Sequence, residues 1–325
     1  MRIGTSFMLV LTLLIVVNAG PVEGRKQTDL EIGKVLFHKE KLTPALKYLN
    51  RAVNVDPLNK EAFMYRGRAL HYLDRPKAAI KDLNHSLELD PKYSEAYLWR
   101  GETYLFMDDY PKAVADFDKA LKLRKAESTW PIFIRRAKAY HMERKSDLAI
   151  ADITSAIEAR TKAFELRTRA EGKTLPSVKR DYDKDLKDFH SLRGEIYYNQ
   201  EKYDQAAEDL TTALTAGGFS DQIYLLRAKT YEKAGKIQLA LKDYTKLIEV
   251  NPEDEAAYEK RANLLMKAGR TKEAVSDLDR AIANYPGHAP ARLYKLRGQA
   301  HHKLGNKALE NADLKKAKTP DWNAF

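Results

Sequence analysis

The sequence contains no cysteine among its 325 residues. This absence excludes disulfides, thiolate metal sites and a cysteine nucleophile. Glycine and proline are scarce, at 15 and 12 residues. No glycine-rich dinucleotide fingerprint, zinc-ligand spacing or Ser/His/Asp set occurs. The sequence therefore predicts no catalytic residue, no cofactor and no metal.

Charge, by contrast, is abundant. There are 57 lysines and arginines against 46 aspartates and glutamates, which gives a formal net charge of +11. Such an excess suits acidic partners such as nucleic acid, anionic lipid or acidic peptides. Lysine and glutamate alternate along most of the predicted outer faces, however, so the excess is equally explained by a surface that is merely soluble, and we favour that explanation.

A stretch of about 34 residues is repeated along most of the chain. Its best copy, 62–91, has Gly67 and, twelve residues later, Ala79, and the next copy repeats this spacing with Gly101 and Ala113. Further positions that hold the same registers are Gly194, Ala206, Ala240 and Ala274. A self-similar period of this length indicates a repeat architecture.

Within each copy, apolar residues return every three or four positions, which is the period of one face of a helix. Two such runs are separated by a short polar break, as at 74–77, where Pro76 suits the first turn of a helix. Each copy therefore predicts a helix A, a tight turn and a helix B packed antiparallel. The small residues mark the places where the two helices approach most closely.

These registers resemble the tetratricopeptide repeat, in eight tandem copies. The resemblance implies an all-α fold, a right-handed α-solenoid of helix-turn-helix hairpins, whose concave groove binds peptides or proteins. It implies no enzymatic chemistry. The predicted organisation is repeats 1–4 over 26–160, a basic insertion over 161–186, repeats 5–8 over 187–318 and a tail over 319–325.

One charge pattern recurs in seven of the copies. An arginine precedes the small residue of helix A, and an aspartate follows it sixteen residues later, as with Arg66 and Asp82. We expect these residues to form a ladder of ion pairs between helix A and helix B, within a copy or with the next one. The alternative is that the two charges are solvated and were simply duplicated with the repeat.

The first 24 residues differ from the rest. Arg2 is followed by an apolar run over 7–17, and small residues precede possible cleavage points near Ala19 and Gly24. This pattern predicts a secretory signal peptide. The run is shorter than the roughly twenty residues that a membrane span needs, although an uncleaved anchor stays an alternative. We therefore expect a secreted or periplasmic protein with no membrane span in its mature form and no nucleic-acid partner.

The insertion at 161–186 interrupts the period, because the small residues Ala137 and Gly194 lie 57 positions apart. We expect a lengthened helix B, a break around Gly172, and a lengthened helix A in the fifth repeat. Insertions in repeat proteins often lie on a functional face, but a neutral spacer explains this one equally well.

The groove is the only candidate site. In the tetratricopeptide repeat family, which this sequence resembles, the groove is lined by helix A side chains that point away from helix B. In the first half these are mainly aromatic, and in the second half mainly basic. The predicted groove residues are Phe37, Met64, Arg68, His71, Tyr72, Leu98, Glu102, Phe106, Lys138, His141, Lys229, Lys233, Asn263, Lys267, Lys295, Gln299, His302 and Lys303.

This surface predicts a non-enzymatic exported scaffold that binds a protein or peptide during assembly of a cell-envelope or secreted complex. The basic residues of the groove suit a segment that contains acidic residues. The main alternative is a binder of an anionic polymer or membrane surface through the basic half. A second alternative is that the exposed aromatic residues only complete the packing between adjacent helices. The oligomeric state does not follow from the sequence.

Overall fold

The computed structural model describes residues 28–172, 175–285 and 289–318. The predicted signal peptide and tail lie outside these ranges. The regular elements of the described residues are helical. They are α1 Asp29–His38, α2 Leu42–Val55, α3 Lys60–Tyr72, α4 Pro76–Leu89, α5 Ser94–Phe106, α6 Tyr110–Lys122, α7 Trp130–Met142, α8 Ser146–Glu171, α9 Pro176–Asn199, α10 Tyr203–Gly217, α11 Asp221–Lys233, α12 Ile237–Val250, α13 Glu255–Lys267, α14 Thr271–Asn284, α15 Ala291–Lys303 and α16 Lys307–Lys316.

Odd-numbered helices are the A helices and even-numbered helices the B helices of eight hairpins. Consecutive helices pack against each other, as α3 does on α4 and α4 on α5. The prediction of an all-α solenoid of helical hairpins is confirmed. The chain divides into two compact units, Met1–Tyr182 and Asp183–Phe325. No helix of the described residues combines the length and the apolarity that a membrane span requires.

The boundary between the two units falls inside α9, within the insertion. Helix α8 has 26 residues and α9 has 24, against 10 to 15 in the other helices. Helix α8 ends at Gly172, whose φ of 66° is the left-handed conformation that glycine adopts without strain. In the first unit, Phe164 of α8 stacks on Tyr182 of α9 with ring centroids 4.2 Å apart. The insertion therefore includes a packed contact between two long helices.

The small residues lie where helices A and B touch. Ala79 and Ala113 are fully buried. A Cβ atom added to Gly67 would lie 2.8 Å from Leu83 Cγ and 3.2 Å from the Ala79 carbonyl oxygen. At Gly101 the added atom would lie 2.8 Å from the ring of Phe117. These contacts are too short for carbon atoms, so the interhelical distance depends on the missing side chain.

The turn between helices A and B has the same backbone conformation in each of the eight repeats. The seventh residue after the small residue of helix A has a φ between 58° and 77°. In the last three repeats this residue is Gly235, Gly269 or Gly305. In the first five it is Glu40, Asp74, Asp108, Arg144 or Glu201. Residues with a Cβ atom accept this conformation here because the packed hairpin on either side imposes it.

The predicted ion-pair ladder is confirmed within each of the seven repeats that carry the pattern. Each arginine donates from Nε and Nη2 to the two carboxylate oxygens of its aspartate, at 2.6 to 2.9 Å. The pairs are Arg66–Asp82, Arg100–Asp116, Arg136–Asp152, Arg193–Asp209, Arg227–Asp243, Arg261–Asp277 and Arg297–Asp313. Two parallel hydrogen bonds fix both the distance and the orientation of the helices.

The same arginines also reach the preceding repeat. Arg100 donates from Nη1 to Asn84 Oδ1 at 2.7 Å, and Arg227 donates from Nη1 to Thr211 Oγ1 at 3.0 Å. One guanidinium thus joins helix A to two B helices, its own and the previous one. This second contact could not be predicted from the Arg–Asp spacing, because the residue that accepts the hydrogen bond varies between repeats. It is an asparagine, a threonine or an aspartate.

The Asp209 carboxylate has an additional partner. His190 Nδ1 lies 2.8 Å from Asp209 Oδ1, on the carboxylate that Arg193 also binds. Burial on its own would raise the pKa of Asp209, but the hydrogen bonds from Arg193 and His190 outweigh burial and lower that pKa below its usual value. The buried carboxylate is therefore held in its charged form.

We predict that Gly101→Ala lowers the free energy of unfolding by about 1–2 kcal/mol, because the strain against Phe117 exceeds the gain in helix propensity. The matched control is Gly298→Ala at the same register of the last repeat. There the nearest atom to an added Cβ is Asp313 Cβ at 3.5 Å, an ordinary contact. Gly298→Ala should raise stability by up to about 1 kcal/mol. Urea unfolding measures both, and an equal effect at the two sites would contradict the packing argument.

We predict that Asp243→Ala lowers the free energy of unfolding by about 3 kcal/mol, since it leaves the mostly buried Arg227 without its counter-charge. The control is Asp204→Ala, which removes an exposed ion pair with Lys236, 2.6 Å long. Exposed pairs contribute at most about 1 kcal/mol. Chemical unfolding of the two variants tests this, and similar losses would mean that the ladder contributes no more than surface charge.

Candidate functional site

In the first unit the A helices approach one another more closely than the B helices do. Helices α1 and α3, α3 and α5, and α5 and α7 contact each other directly, whereas contacts between successive B helices are sparser. A stack whose A helices are closer together curves towards them. The side chains of α3, α5 and α7 that face away from the B helices therefore lie on the inner side of this unit.

An aromatic cluster occupies this inner side and surrounds the guanidinium of Arg68. The carbon at its centre, Cζ, lies 4.2 Å from the ring centroid of Trp99, 4.7 Å from that of Phe37 and 5.1 Å from that of Tyr65. Tyr72 lies beside Trp99, with ring centroids 5.7 Å apart. Such stacking is attractive because the faces of aromatic rings are electronegative.

A second row of contacts continues from this cluster. The ring of His71 lies 5.4 Å from that of Phe106 and 6.2 Å from that of Trp99. Arg135 of α7 lies 5.9 Å from the Trp99 ring and, through Nε, 2.9 Å from Glu102 Oε2. We call the resulting surface the aromatic inner face. It consists of Arg68, His71, Tyr72, Trp99, Glu102, Phe106 and Arg135, on three successive A helices.

The predicted groove residues of the first unit divide by burial. Tyr72 and Phe106 are 40% and 54% exposed, and Lys138 is also exposed. Phe37, Met64 and Leu98 are buried. For these three the expectation of an accessible groove position is wrong. Phe37 is covered by the rings and guanidinium of α3, and the other two belong to the hydrophobic core of the unit.

Sequence reasoning missed Tyr65, Trp99 and Arg135. Each is the sixth residue of its A helix. The ninth residue, which is Arg68 in α3, follows three positions later and was predicted to line the groove. Residues three and four apart lie on the same side of a helix. The spacing between the sixth and ninth positions was the signal that could have found them.

Several polar atoms on this side are buried without a hydrogen-bond partner. They are Arg68 Nε, His71 Nδ1, Glu102 Oε2, Arg135 Nε and His141 Nδ1. Arg135 Nε and Glu102 Oε2 are close enough for an ion pair, but the angle between them is not that of a hydrogen bond. Buried polar groups in folded proteins are nearly always satisfied. The aromatic inner face therefore has hydrogen-bonding capacity that the described residues do not use.

Burial also affects the charge of this surface. It lowers the pKa of His71 and the pKa of Arg68, since both side chains are largely removed from water. His38, behind the cluster, has its pKa lowered by burial and then by the positive charges of Arg68 and Lys34. The two histidines are consequently held in the neutral form.

In the second unit the predicted lysines are exposed on the A helices. Lys229, Lys233, Lys295 and Lys303 are exposed. Lys267 pairs with Glu232 of the preceding A helix at 2.7 Å, and His302 lies 3.0 Å from Glu310. Part of the predicted positive charge is thus matched by carboxylates that sequence reasoning did not assign to the groove.

A cavity of about 540 Å³ lies at the end of the second unit, between α13, α15 and α16. Met266, Leu296 and Leu314 provide its apolar surface. Five predicted groove residues line it, Asn263, Lys267, Gln299, His302 and Lys303, together with Glu310. The structure therefore brings these predicted residues together in one concave place.

The models of the tetratricopeptide repeat match both units. One matches residues 30–94, 191–241, 225–289 and 260–324, and a second matches 83–115. The chain belongs to the tetratricopeptide repeat family. Comparison with curated proteins gives no match.

Solved structures of tetratricopeptide repeat proteins share the fold. The C-terminal part of a repeat protein from Cytophaga hutchinsonii is 16% identical, with a TM-score of 0.64 over 79% of this chain and 95% of that one. The Pseudomonas aeruginosa protein pilF is 14% identical, with a TM-score of 0.54 over 69% of this chain and 90% of that one. At these identities the likeness concerns the fold alone.

Tetratricopeptide repeats bind protein or peptide partners, so this chain is a protein-interaction scaffold in its architecture. At the aromatic inner face and at the cavity of the second unit, the A helices present both apolar and polar groups on a concave surface.

We predict that stability falls as the pH drops below 6.5, and that His71→Gln reduces this fall. The pKa of His71 is lower in the folded chain than in the unfolded chain, so protons favour unfolding from pH 6.5 downwards, through the folded-state pKa. Urea unfolding at pH 7.5 and pH 5.0 measures the difference. His302→Gln, at an exposed histidine, is the control. An unchanged pH dependence in His71→Gln would contradict the prediction.

Proposed function

We propose that this protein is a non-enzymatic, exported scaffold whose aromatic inner face binds an extended segment of a partner protein. The observation that carries the proposal is the combination of exposed aromatic rings with buried polar atoms that have no partner. An extended peptide offers a backbone N–H and a carbonyl at each residue, and its side chains supply apolar contacts. It can therefore satisfy both features at once.

The spacing of the site agrees with such a ligand. The aromatic inner face spans the A helices of three repeats, α3, α5 and α7, so its length exceeds that of a small molecule. Aromatic residues and arginine dominate the energetics of protein interfaces. Tyr72 and Phe106 provide accessible rings, and Trp99 lies beneath them in contact with both Tyr72 and His71.

Export and a role in assembling a cell-envelope or secreted complex belong to the same proposal. Export is supported by the amino-terminal sequence, with Arg2, an apolar run and small residues before the possible cleavage points.

The alternative partner, an anionic polymer or membrane surface, is supported by the exposed lysines Lys229, Lys233, Lys295 and Lys303. It is weakened by the pairing of Lys267 with Glu232 and by the nearby Glu259, which binds Arg292 at 3.1 Å. Binding of this kind would weaken steeply with salt.

We predict that a photoreactive phenylalanine at position 106 crosslinks a partner protein in the native compartment, because this side chain is exposed on the aromatic inner face. The control places the same group at Leu148, which is 49% exposed on the B helix α8. Mass spectrometry identifies the captured protein and the amino terminus of the chain. A start at Gly20 or Arg25 is the expected sign of export.

Capture at position 106 but not at 148 supports the proposal. Equal capture at both positions would contradict it. A different result would favour the alternative. The protein would then be retained on anionic vesicles and give no crosslink at position 106. This retention would be lost at high salt and on substitution of the four exposed lysines, Lys229, Lys233, Lys295 and Lys303.

A further inference from the structure

Arg68 differs from the arginines of the ladder. Each of those has a carboxylate bound through two hydrogen bonds. Arg68 makes no hydrogen bond to any described residue, and its Nε is buried without a partner. Its guanidinium lies instead against three aromatic rings, those of Trp99, Phe37 and Tyr65. The side chain is partly buried, with its Nε fully buried, so this is a partly buried cation that no described carboxylate pairs with.

Such an arrangement costs stability in the free protein. Aromatic rings attract a cation, but they replace only part of its hydration. Burying a charge without an opposite charge is strongly unfavourable. The positive charge of Arg135 adds repulsion. It lies 2.9 Å from Glu102, so that carboxylate already has a partner.

The surroundings of Arg68 indicate which chemical group of a ligand could bind its guanidinium. The rings of Trp99, Phe37 and Tyr65 lie 4.2 to 5.1 Å from Arg68 Cζ, and no described residue accepts a hydrogen bond from this guanidinium. A planar guanidinium binds a planar carboxylate through two parallel hydrogen bonds. The other unused polar atoms, on His71 and His141, continue along the A helices beyond Arg68. A bound chain that used these atoms as well would extend past Arg68, which favours a carboxylate within the chain over one at its end.

We propose that Arg68 is the receptor for the carboxylate of an internal aspartate or glutamate in the partner segment. This inference rests on the proposed function, because it assigns the chemistry of one residue of the ligand. The acidic side chain docks on the guanidinium edge, and its neighbours in the segment pack on Tyr72 and Phe106. Ligand binding supplies the counter-charge that the free protein lacks.

The test uses random twelve-residue peptides displayed within a phage coat protein, so that they have no free carboxyl terminus, selected on the full-length protein. We expect the selected peptides to contain an aspartate or glutamate next to an apolar residue. Synthesised with an amidated end, they should lose about tenfold or more in affinity when that acid is changed to its amide. Fluorescence anisotropy gives the dissociation constants.

The protein variant Arg68→Met should weaken binding to the same extent, and the amide change in the peptide should then have no further effect. Arg68→Met should also melt at a higher temperature than the wild type without ligand, since it removes a buried unpaired charge. Arg68→Gln is the second variant. Lys81→Met, at an exposed lysine on the B helix α4 of the same repeat, is the control and should leave the dissociation constant unchanged.

The outcomes separate this inference from the proposed function. Peptides that depend on Tyr72 and Phe106 but not on Arg68 or on their own acid would overturn the inference alone. If Arg68→Met melts at a lower temperature than the wild type but binds the peptides with unchanged affinity, Arg68 has a structural role. That result would also overturn the inference alone. A requirement for a free carboxyl terminus would overturn the side-chain assignment. Selection of no peptide, or of peptides indifferent to Tyr72 and Phe106, would contradict the proposed function itself.

Discussion

The arrangement of these helices depends on one repeated interaction, the two-pronged contact between an arginine of helix A and an aspartate of helix B. Its geometry is narrow, because both hydrogen bonds must form together. The remaining nitrogen of the same guanidinium reaches the B helix of the preceding repeat, as Arg100 reaches Asn84. An arginine such as Arg100 therefore sets both the distance inside one hairpin and the position of that hairpin on its neighbour within the unit.

The small residues act together with this contact. Glycine or alanine at the crossing lets the backbones approach, and the arginine and aspartate lie close to that crossing because they flank it in sequence. Arg100 immediately precedes Gly101, and Asp116 immediately precedes Phe117, the residue that fills the space over the glycine. Packing and charge thus reinforce one geometry. Apolar packing alone tolerates small shifts between helices, whereas the paired hydrogen bonds do not.

With the helices held in this way, the inner side of the first unit can contain groups that do not stabilise the fold. Arg68 and the polar atoms of His71, Glu102 and Arg135 are poorly satisfied in the free chain. Local departures from good packing and pairing are typical of functional sites. The contrast between the seven arginines of the ladder, each bound to a carboxylate, and Arg68, which no described carboxylate binds, is the strongest indication of where a ligand binds.

The sequence by itself determined the repeat, the hairpins, the ladder and the glycines of the last three turns, because each of these follows from residues at a constant spacing on a helix. Only the tertiary structure decided which side chains remain accessible. Phe37, Met64 and Leu98 share helix positions with exposed residues but are buried, and Trp99 and Arg135 join the site from a position that sequence reasoning passed over. Burial depends on what the neighbouring repeat places opposite a residue, and the period of a single helix contains no information about that neighbour.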